Sequence, residues 1–290
     1  MTLQADVGLA SPRPNPSALR HISPFRYPGG KTWLLPTVRE WLNSLGRPQH
    51  LLEPFAGGGT VGLTVAAESL ADRVTLVELD DDVAAVWQVL LHGSDRDVAA
   101  LAAKVMEFAV TFENVRAIIG TAPTSTVGKA FRTIAKNRFQ RGGVMAPGAG
   151  LMREAGEGRG LAGRWYPETL VRRFVAIRGL REKVAFEHGD GLEAIERHRG
   201  AAMFIDPPYT AGSGKRAGSR LYTHHELDHA RLFDLVAASP SPALFTYDDA
   251  PEVRQMALVR SFTVDEVTMR SAKHVEMREL TIWKAGRRTP

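Results

Sequence analysis

The chain contains no cysteine among its 290 residues. That excludes a disulfide scaffold, a thiolate metal site, a cysteine nucleophile and an iron–sulfur cluster. It also fits a reducing compartment. No apolar run approaches the ~18–20 residues of a membrane span. The opening, MTLQADVGLASPRPNPSALR, has neither the charged start nor the apolar core of a signal peptide. A soluble, cytoplasmic protein without membrane contact is expected. His224 and His225 form an adjacent pair, but no third ligand stands at metal-binding spacing, so no metal is expected. Acidic residues are scarce in one place. Residues 129–181 hold 12 of the 37 Lys and Arg but 3 of the 32 Asp and Glu. The formal charge of +5 therefore divides into a neutral-to-acidic body and one strongly basic segment, which suits a polyanion.

Hydrophobic residues make up 44% and charged residues 24% of the chain, as in a globular protein. The length suits one large domain, or one domain carrying an insertion. Residues 1–22, rich in Pro and Ser, read as a flexible segment. Residues 31–46 read as a helix, with Trp33, Leu34, Val38, Trp41, Leu42 and Leu45 on one stripe. A short strand begins at His50–Leu52. A glycine turn at 57–59 leads into a helix over 60–70. A second strand covers 73–79 and a helix 80–91. This alternation opens a parallel α/β sheet. Residues 95–119 and 127–139 read as helices, 140–164 as a long glycine-rich loop, and 167–181 as a basic helix. Strand-like segments return at 184–187, 202–205, 244–247 and 279–284. Sheet-forming material thus lies at both ends, with helical, basic material between.

Three turns carry chemistry. In HLLEPFAGGGTVGLT, glycines follow a strand and precede a helix, so a ligand can approach the backbone and the helix N-terminus offers free N–H donors. Gly57, Gly59 and Gly62 satisfy G-x-G-x-x-G, and Glu78 ends the next strand, where a carboxylate can accept from ribose hydroxyls. A nicotinamide dehydrogenase would share these features. Glu53 argues instead for a cationic cofactor, because a carboxylate beside the turn repels a pyrophosphate. In AAMFIDPPYT, an apolar strand ends in Asp206, Pro207, Pro208 and Tyr209. Two prolines stiffen the turn. Asp206 and the Pro207 carbonyl are then two acceptors in fixed relation, matching the two donors of a planar exocyclic amino group. Tyr209 offers a ring face for a base. FRYPGGKTW is no P-loop, since Phe25 stands where the first glycine is required. Its Tyr27 can still pack on an adenosine and its Lys31 can reach a carboxylate.

FRYPGGK, LLEPFAGGG, LVELD and FIDPPY, in this order, resemble the Dam-type (alpha-group) DNA adenine N6-methyltransferase family. FTYDDAPEVR, residues 245–254, resembles a further family segment. The resemblance implies a Rossmann-like α/β methyltransferase sheet dependent on S-adenosylmethionine, with a mostly helical target-recognition domain inserted before the DPPY strand. On this chain that gives a catalytic domain over 23–94 and 182–290 and an inserted domain over 95–181. It implies that Tyr27, Lys31, Glu53, Pro54, Phe55, Gly57, Gly59, Glu78, Asp190 and Asp206 serve the cofactor. Asp206, Pro207, Pro208 and Tyr209 would be the catalytic turn. The family more often has Trp where this chain has Tyr27, and NRFQRGGVMAPGAGLM matches its recognition segment only loosely.

The expected reaction is methyl transfer to adenine N6 in double-stranded DNA, on a base turned out of the duplex. Arg138, Arg141, Arg153, Arg159, Arg164, Arg172 and Arg173 are the expected DNA contacts, and residues 210–225 suit a loop over DNA. The chain is expected to act as a monomer, with a cognate restriction enzyme as a partner such enzymes can have. N4-cytosine methylation is the nearest alternative, because cytosine presents the same amino donors. Relatives of that type more often have Ser in place of Asp206.

Overall fold

Strands His50–Glu53 (β1) and Ala202–Ile205 (β4) are buried along their whole length, as apolar runs covered on both faces of a parallel sheet should be. Around them lie Arg73–Glu78 (β2), Val184–His188 (β3), Ala243–Asp248 (β5), Thr263–Arg270 (β6) and Glu276–Lys284 (β7). The computed structural model describes residues 22–26, 31–145, 149–152, 160–208, 227–270 and 276–284. They form one seven-stranded sheet in the order β3-β2-β1-β4-β5-β7-β6. β1 pairs parallel with β2 and β4, and β7 runs antiparallel to both β5 and β6. The direction of winding reverses between β1 and β4. In open α/β sheets such a reversal leaves a crevice at the carboxyl ends of the strands.

Several helices start where a short polar side chain caps them. Asp80 accepts from the Asp82 and Val83 N–H groups and begins Asp81–Trp87 (α3), after Leu35–Ser44 (α1) and Thr60–Ala67 (α2). Ser94 and Asp97 form a reciprocal capping box on Asp95–Glu107 (α4), which satisfies two otherwise orphaned donors. The single helix expected over 95–119 is two. Thr111 takes an extended backbone and accepts from the Asn114 N–H, starting Phe112–Gly120 (α5) afresh. Thr126–Phe139 (α6) is capped by Ser125, and Pro167–Arg178 (α7) carries proline in its first turn. Gly191–Arg197 (α8), His229–Ala238 (α9) and Pro251–Leu258 (α10) complete the set. β6, at one edge of the sheet, escaped sequence reading because TVDEVTMR offers no continuous apolar run.

Side chains alternate between the faces of a strand, and two hydrophobic clusters follow from that. One face gathers Leu51, Val74, Leu76, Phe204 and Leu244 with Val98, Leu101, Phe131, Ile134, Phe139, Trp165 and Phe174 from the helices between β2 and β3. The other gathers Leu52, Val77, Met203, Ile205, Phe245 and Leu280 with α9. The helices of the 95–181 stretch therefore share a core with the sheet. Asp82 of α3 also meets Arg132 at 3.2 Å and Lys136 at 2.6 Å, both from α6. Among the described residues no helix is long and apolar enough to cross a membrane. No group of three or more His, Asp or Glu is placed to hold a metal among them either.

Candidate active site at the carboxyl edge of the sheet

Period-two alternation carries the first cluster's face up to a row of polar residues. Glu53 follows Leu51, Glu78 follows Leu76, Asp206 follows Phe204, and Thr246 and Asp248 follow Leu244. Each polar residue stands at or near the carboxyl end of its strand, so the row runs along the carboxyl edge of the sheet on both sides of the reversal point.

The glycine turn sits at its centre. Gly57 and Gly59 have φ of 47° and 59°, in the left-handed region that a side chain rarely adopts. The Trp87 indole N–H donates to the Gly57 carbonyl at 3.1 Å, and a Cβ on Gly59 would come within 3.1 Å of the same ring. Glu78 braces the turn from β2: Gly57 N–H donates to its Oε2 at 2.8 Å and Asp80 N–H to its Oε1 at 2.9 Å. Glu53 braces it from β1, accepting from Gly62 N–H at 2.7 Å. A Cβ on Gly62 would lie 2.5 Å from Glu53 Oε2 and from Leu76 Cδ2, so a side chain there would displace the Glu53 carboxylate from its place beside the turn. Burial pushes Glu53 up to about 8, against the pull of the Gly62 hydrogen bond and with help from Asp206. Burial likewise pushes Glu78 up to about 7, with the Asp80 N–H opposing.

Pro54 is buried and Phe55 half-buried. Gly191, which sequence reading passed over, closes the turn from the other side. A Cβ there would stand 2.4 Å from the Pro54 carbonyl oxygen and 2.7 Å from Phe55 Cε1. Asp190 beside it caps α8, its Oδ1 accepting from Leu192 and Glu193 N–H at 2.8 and 3.1 Å.

Across the crevice, Asp206 leaves β4 with Pro207 buried behind it. Its Oδ1 accepts from Thr246 Oγ1 at 2.7 Å and lies 3.3 Å from Lys31 Nζ. Lys31 Nζ is also 3.4 Å from Glu279 Oε2. Burial works against the Lys31 ammonium, but Asp206 and Glu279 outweigh it and hold its pKa above the ordinary 10.5. Burial pushes Glu279 up to about 7 while Lys31 pulls the other way. Next to Thr246, the buried Tyr247 hydroxyl meets His229 Nδ1 at 3.0 Å.

The approach to Lys31 is stitched to the helices. Asn137 Oδ1 accepts from Arg26 N–H at 2.7 Å, and its Nδ2 donates to the Arg26 and Gly143 carbonyls at 3.0 and 3.1 Å. Arg138, expected at the DNA-facing surface, lies instead in the interior, 5% exposed. It donates to the Pro24 carbonyl at 2.9 Å, and burial together with Arg173 and Arg26 lowers its pKa to about 9. Half-buried Arg173 donates to the Ser23 carbonyl at 2.8 Å. Arg141 and Arg172 are exposed and Arg164 is half-buried. Tyr27, Tyr209, Arg153 and Arg159 lie outside the described residues, as do most of the 1–22 segment and the 210–225 loop.

The structure thus brings Lys31, Glu53, Pro54, Phe55, Gly57, Gly59, Glu78, Asp190, Asp206 and Pro207 to one edge of the sheet. Sequence reading missed Gly191, Asn137, Thr246 and Glu279. The signal for Thr246 was present: it follows Leu244 as Asp206 follows Phe204.

The strand order, the glycine turn and the acidic edge define a candidate ligand site at the reversal point of an α/β sheet. Residues 27–117 match the D12 class N6 adenine-specific DNA methyltransferase family. No curated protein matches the sequence. Among solved structures, the chain is similar to the precorrin-6y C5,15-methyltransferase of Geobacter metallireducens, at 11% identity over 86% of this chain and 88% of that one, with a TM-score of 0.37. It is also similar to the rRNA methyltransferase aviRa of Streptomyces viridochromogenes, at 13% identity over 85% and 83%, with a TM-score of 0.33.

Proposed function

We propose that this protein transfers a methyl group from S-adenosylmethionine to the N6 amino group of adenine in double-stranded DNA. The observation that carries the reading is the fixed Asp206–Pro207 turn, set across the sheet's reversal point from Glu53 and the glycine turn.

The residues present fit the cofactor. Glu53 and Glu78 are carboxylates that burial has pushed towards neutrality, and a bound cation restores their ionised form. Ionised Glu53 would oppose the pyrophosphate of a dinucleotide. The close approaches at Gly59 and Gly191 shape a turn that leaves its backbone to a ligand. Lys31, Glu53, Pro54, Phe55, Gly57, Gly59, Glu78 and Asp190 would hold the cofactor, together with Tyr27. When bound, the cofactor supplies an electrophilic methyl group.

The chain's own part is positioning. Asp206 and the Pro207 carbonyl accept the two amino hydrogens of the base, and that directs the nitrogen lone pair outward. Tyr209 stacks on the ring. The base leaves the duplex to reach this edge. Pre-set acceptors in a dry crevice need no reorganisation as charge develops on the nitrogen. The helices between β2 and β3 form the recognition region, with Arg141, Arg164 and Arg172 of the described residues facing DNA, alongside Arg153 and Arg159. Arg138 and Arg173 serve instead to hold residues 22–26.

The test is to incubate the purified protein with tritiated S-adenosylmethionine and unmodified double-stranded DNA, then hydrolyse the DNA to nucleosides. Label in N6-methyladenine is expected. Label in N4-methylcytosine, or in RNA alone when RNA is offered, would overturn the substrate assignment. Calorimetric titration should show binding of S-adenosylmethionine and none of NAD.

A further inference from the structure

We infer that Thr246 and Glu279 are positioning residues for Asp206: with Lys31 they form a bracket that sets the direction of its carboxylate. The inference rests on the proposed methyl transfer and gives a role to two residues that have none so far.

The bracket is assembled from four separate parts of the chain. Lys31 comes from the turn before α1, Asp206 from the end of β4, Thr246 from β5 and Glu279 from β7. Thr246 is fully buried in a strand whose neighbours on the same face begin with Leu244, and opposite it in register on β7 stands Thr281. A buried hydroxyl without a partner is destabilising. This one is satisfied by Asp206 Oδ1 at 2.7 Å. Lys31 Nζ reaches the same oxygen. Two donors on one carboxylate oxygen stop rotation about Cβ–Cγ, so the whole carboxylate takes one orientation relative to the Pro207 carbonyl. Glu279, one step beyond Thr281 and paired in register with Asp248, keeps the Lys31 ammonium at the junction by holding it from the far side. Without Glu279, Lys31 has one fewer anchor and its long side chain can leave Asp206. Asp206 touches the substrate amino group in the proposed reaction; Thr246 and Glu279 act only through it.

Isosteric pairs separate positioning from packing. Thr246→Val keeps the shape and loses the donor; Thr246→Ser keeps the donor and loses a methyl. If Thr246 positions Asp206, Val lowers kcat on the order of 10-fold or more with little change in S-adenosylmethionine affinity, and Ser restores most of it. If Thr246 only fills space, Ser is the impaired variant and Val is as active as wild type, and the inference fails. Glu279→Leu and Glu279→Gln repeat the test independently should a Thr246 variant not fold. Leu should lower kcat and Gln, which still offers Lys31 an oxygen, should recover it; equal kcat in both and in wild type overturns the role of Glu279. The wild type is assayed on the same DNA. An inactive wild type that binds the cofactor sinks the proposed function itself, whereas an active one beside indifferent variants sinks only the bracket.

Discussion

Asp206 is where the account is most exposed to a single substitution. Asp206→Ala removes an acceptor for the base and leaves the Thr246 hydroxyl and the Lys31 ammonium facing each other. Methylation should fall on the order of 10²-fold or more, with weaker cofactor binding, while the sheet core beneath is untouched. Single-turnover rates and calorimetry would show both losses; unchanged turnover would remove Asp206 from the chemistry. Gly191 gives a second residue-scale prediction. A Cβ there meets a backbone carbonyl and a ring edge at 2.4 and 2.7 Å. Backbone cannot rotate aside as a flexible side chain can, so Gly191→Ala must push the Pro54–Phe55 turn. Such overpacking costs about 1–3 kcal/mol. Chemical denaturation should show it together with a raised Kd for S-adenosylmethionine. A neutral variant would mean that this turn yields freely.

At the scale of elements, the notable link is between the helical stretch and the residues leading to Lys31. Asn137 spends both ends of its amide on the Arg26 backbone and on Gly143, and Arg138 and Arg173 hold Pro24 and Ser23. Asn137→Ala should free this segment, destabilise the fold by about 1–3 kcal/mol and weaken cofactor binding through Lys31. Hydrogen exchange at residues 22–26 would report the loosening directly; protection equal to wild type would contradict it. The elements also show what was legible in the sequence. β1, β2 and β4 are short apolar runs ending in Glu53, Glu78 and Asp206, and an apolar run that stops at a carboxylate can be read without a structure. β6 could not be read this way, because in TVDEVTMR acidic residues interrupt every apolar stretch. The break between α4 and α5 hung on one side chain, Thr111, capping a new helix. Arg138 looked like a surface cation in a basic stretch. Only the packing of α6 against residues 22–26 shows that it is an interior donor, since charge alone does not tell which side of a helix is covered.

The whole molecule stores its functional acids in an uncomfortable state. Burial raises Glu53 to about 8 and Glu78 and Glu279 to about 7, from an ordinary value of 4.5. A folded-state pKa above the unfolded one means that the folded chain binds more protons. The stability these groups contribute is therefore full below about 4.5 and is lost as pH rises through 7 to 8. A cationic ligand favours the ionised carboxylates and so reverses the trend for the complex. The ligand-free protein should lose stability between pH 6 and pH 8.5 in urea titrations. Over the same interval S-adenosylmethionine should bind more tightly, with protons released into the buffer. Affinity that falls with rising pH would contradict the cationic assignment of the crevice. The most direct measurement, however, concerns the product. DNA from a methylation-free host expressing this chain, digested to nucleosides and weighed by mass spectrometry, should contain N6-methyladenine, and DNA from a host expressing Asp206→Ala should not. N6-methyladenine absent from the first, with N4-methylcytosine or no modified base in its place, would contradict the central claim.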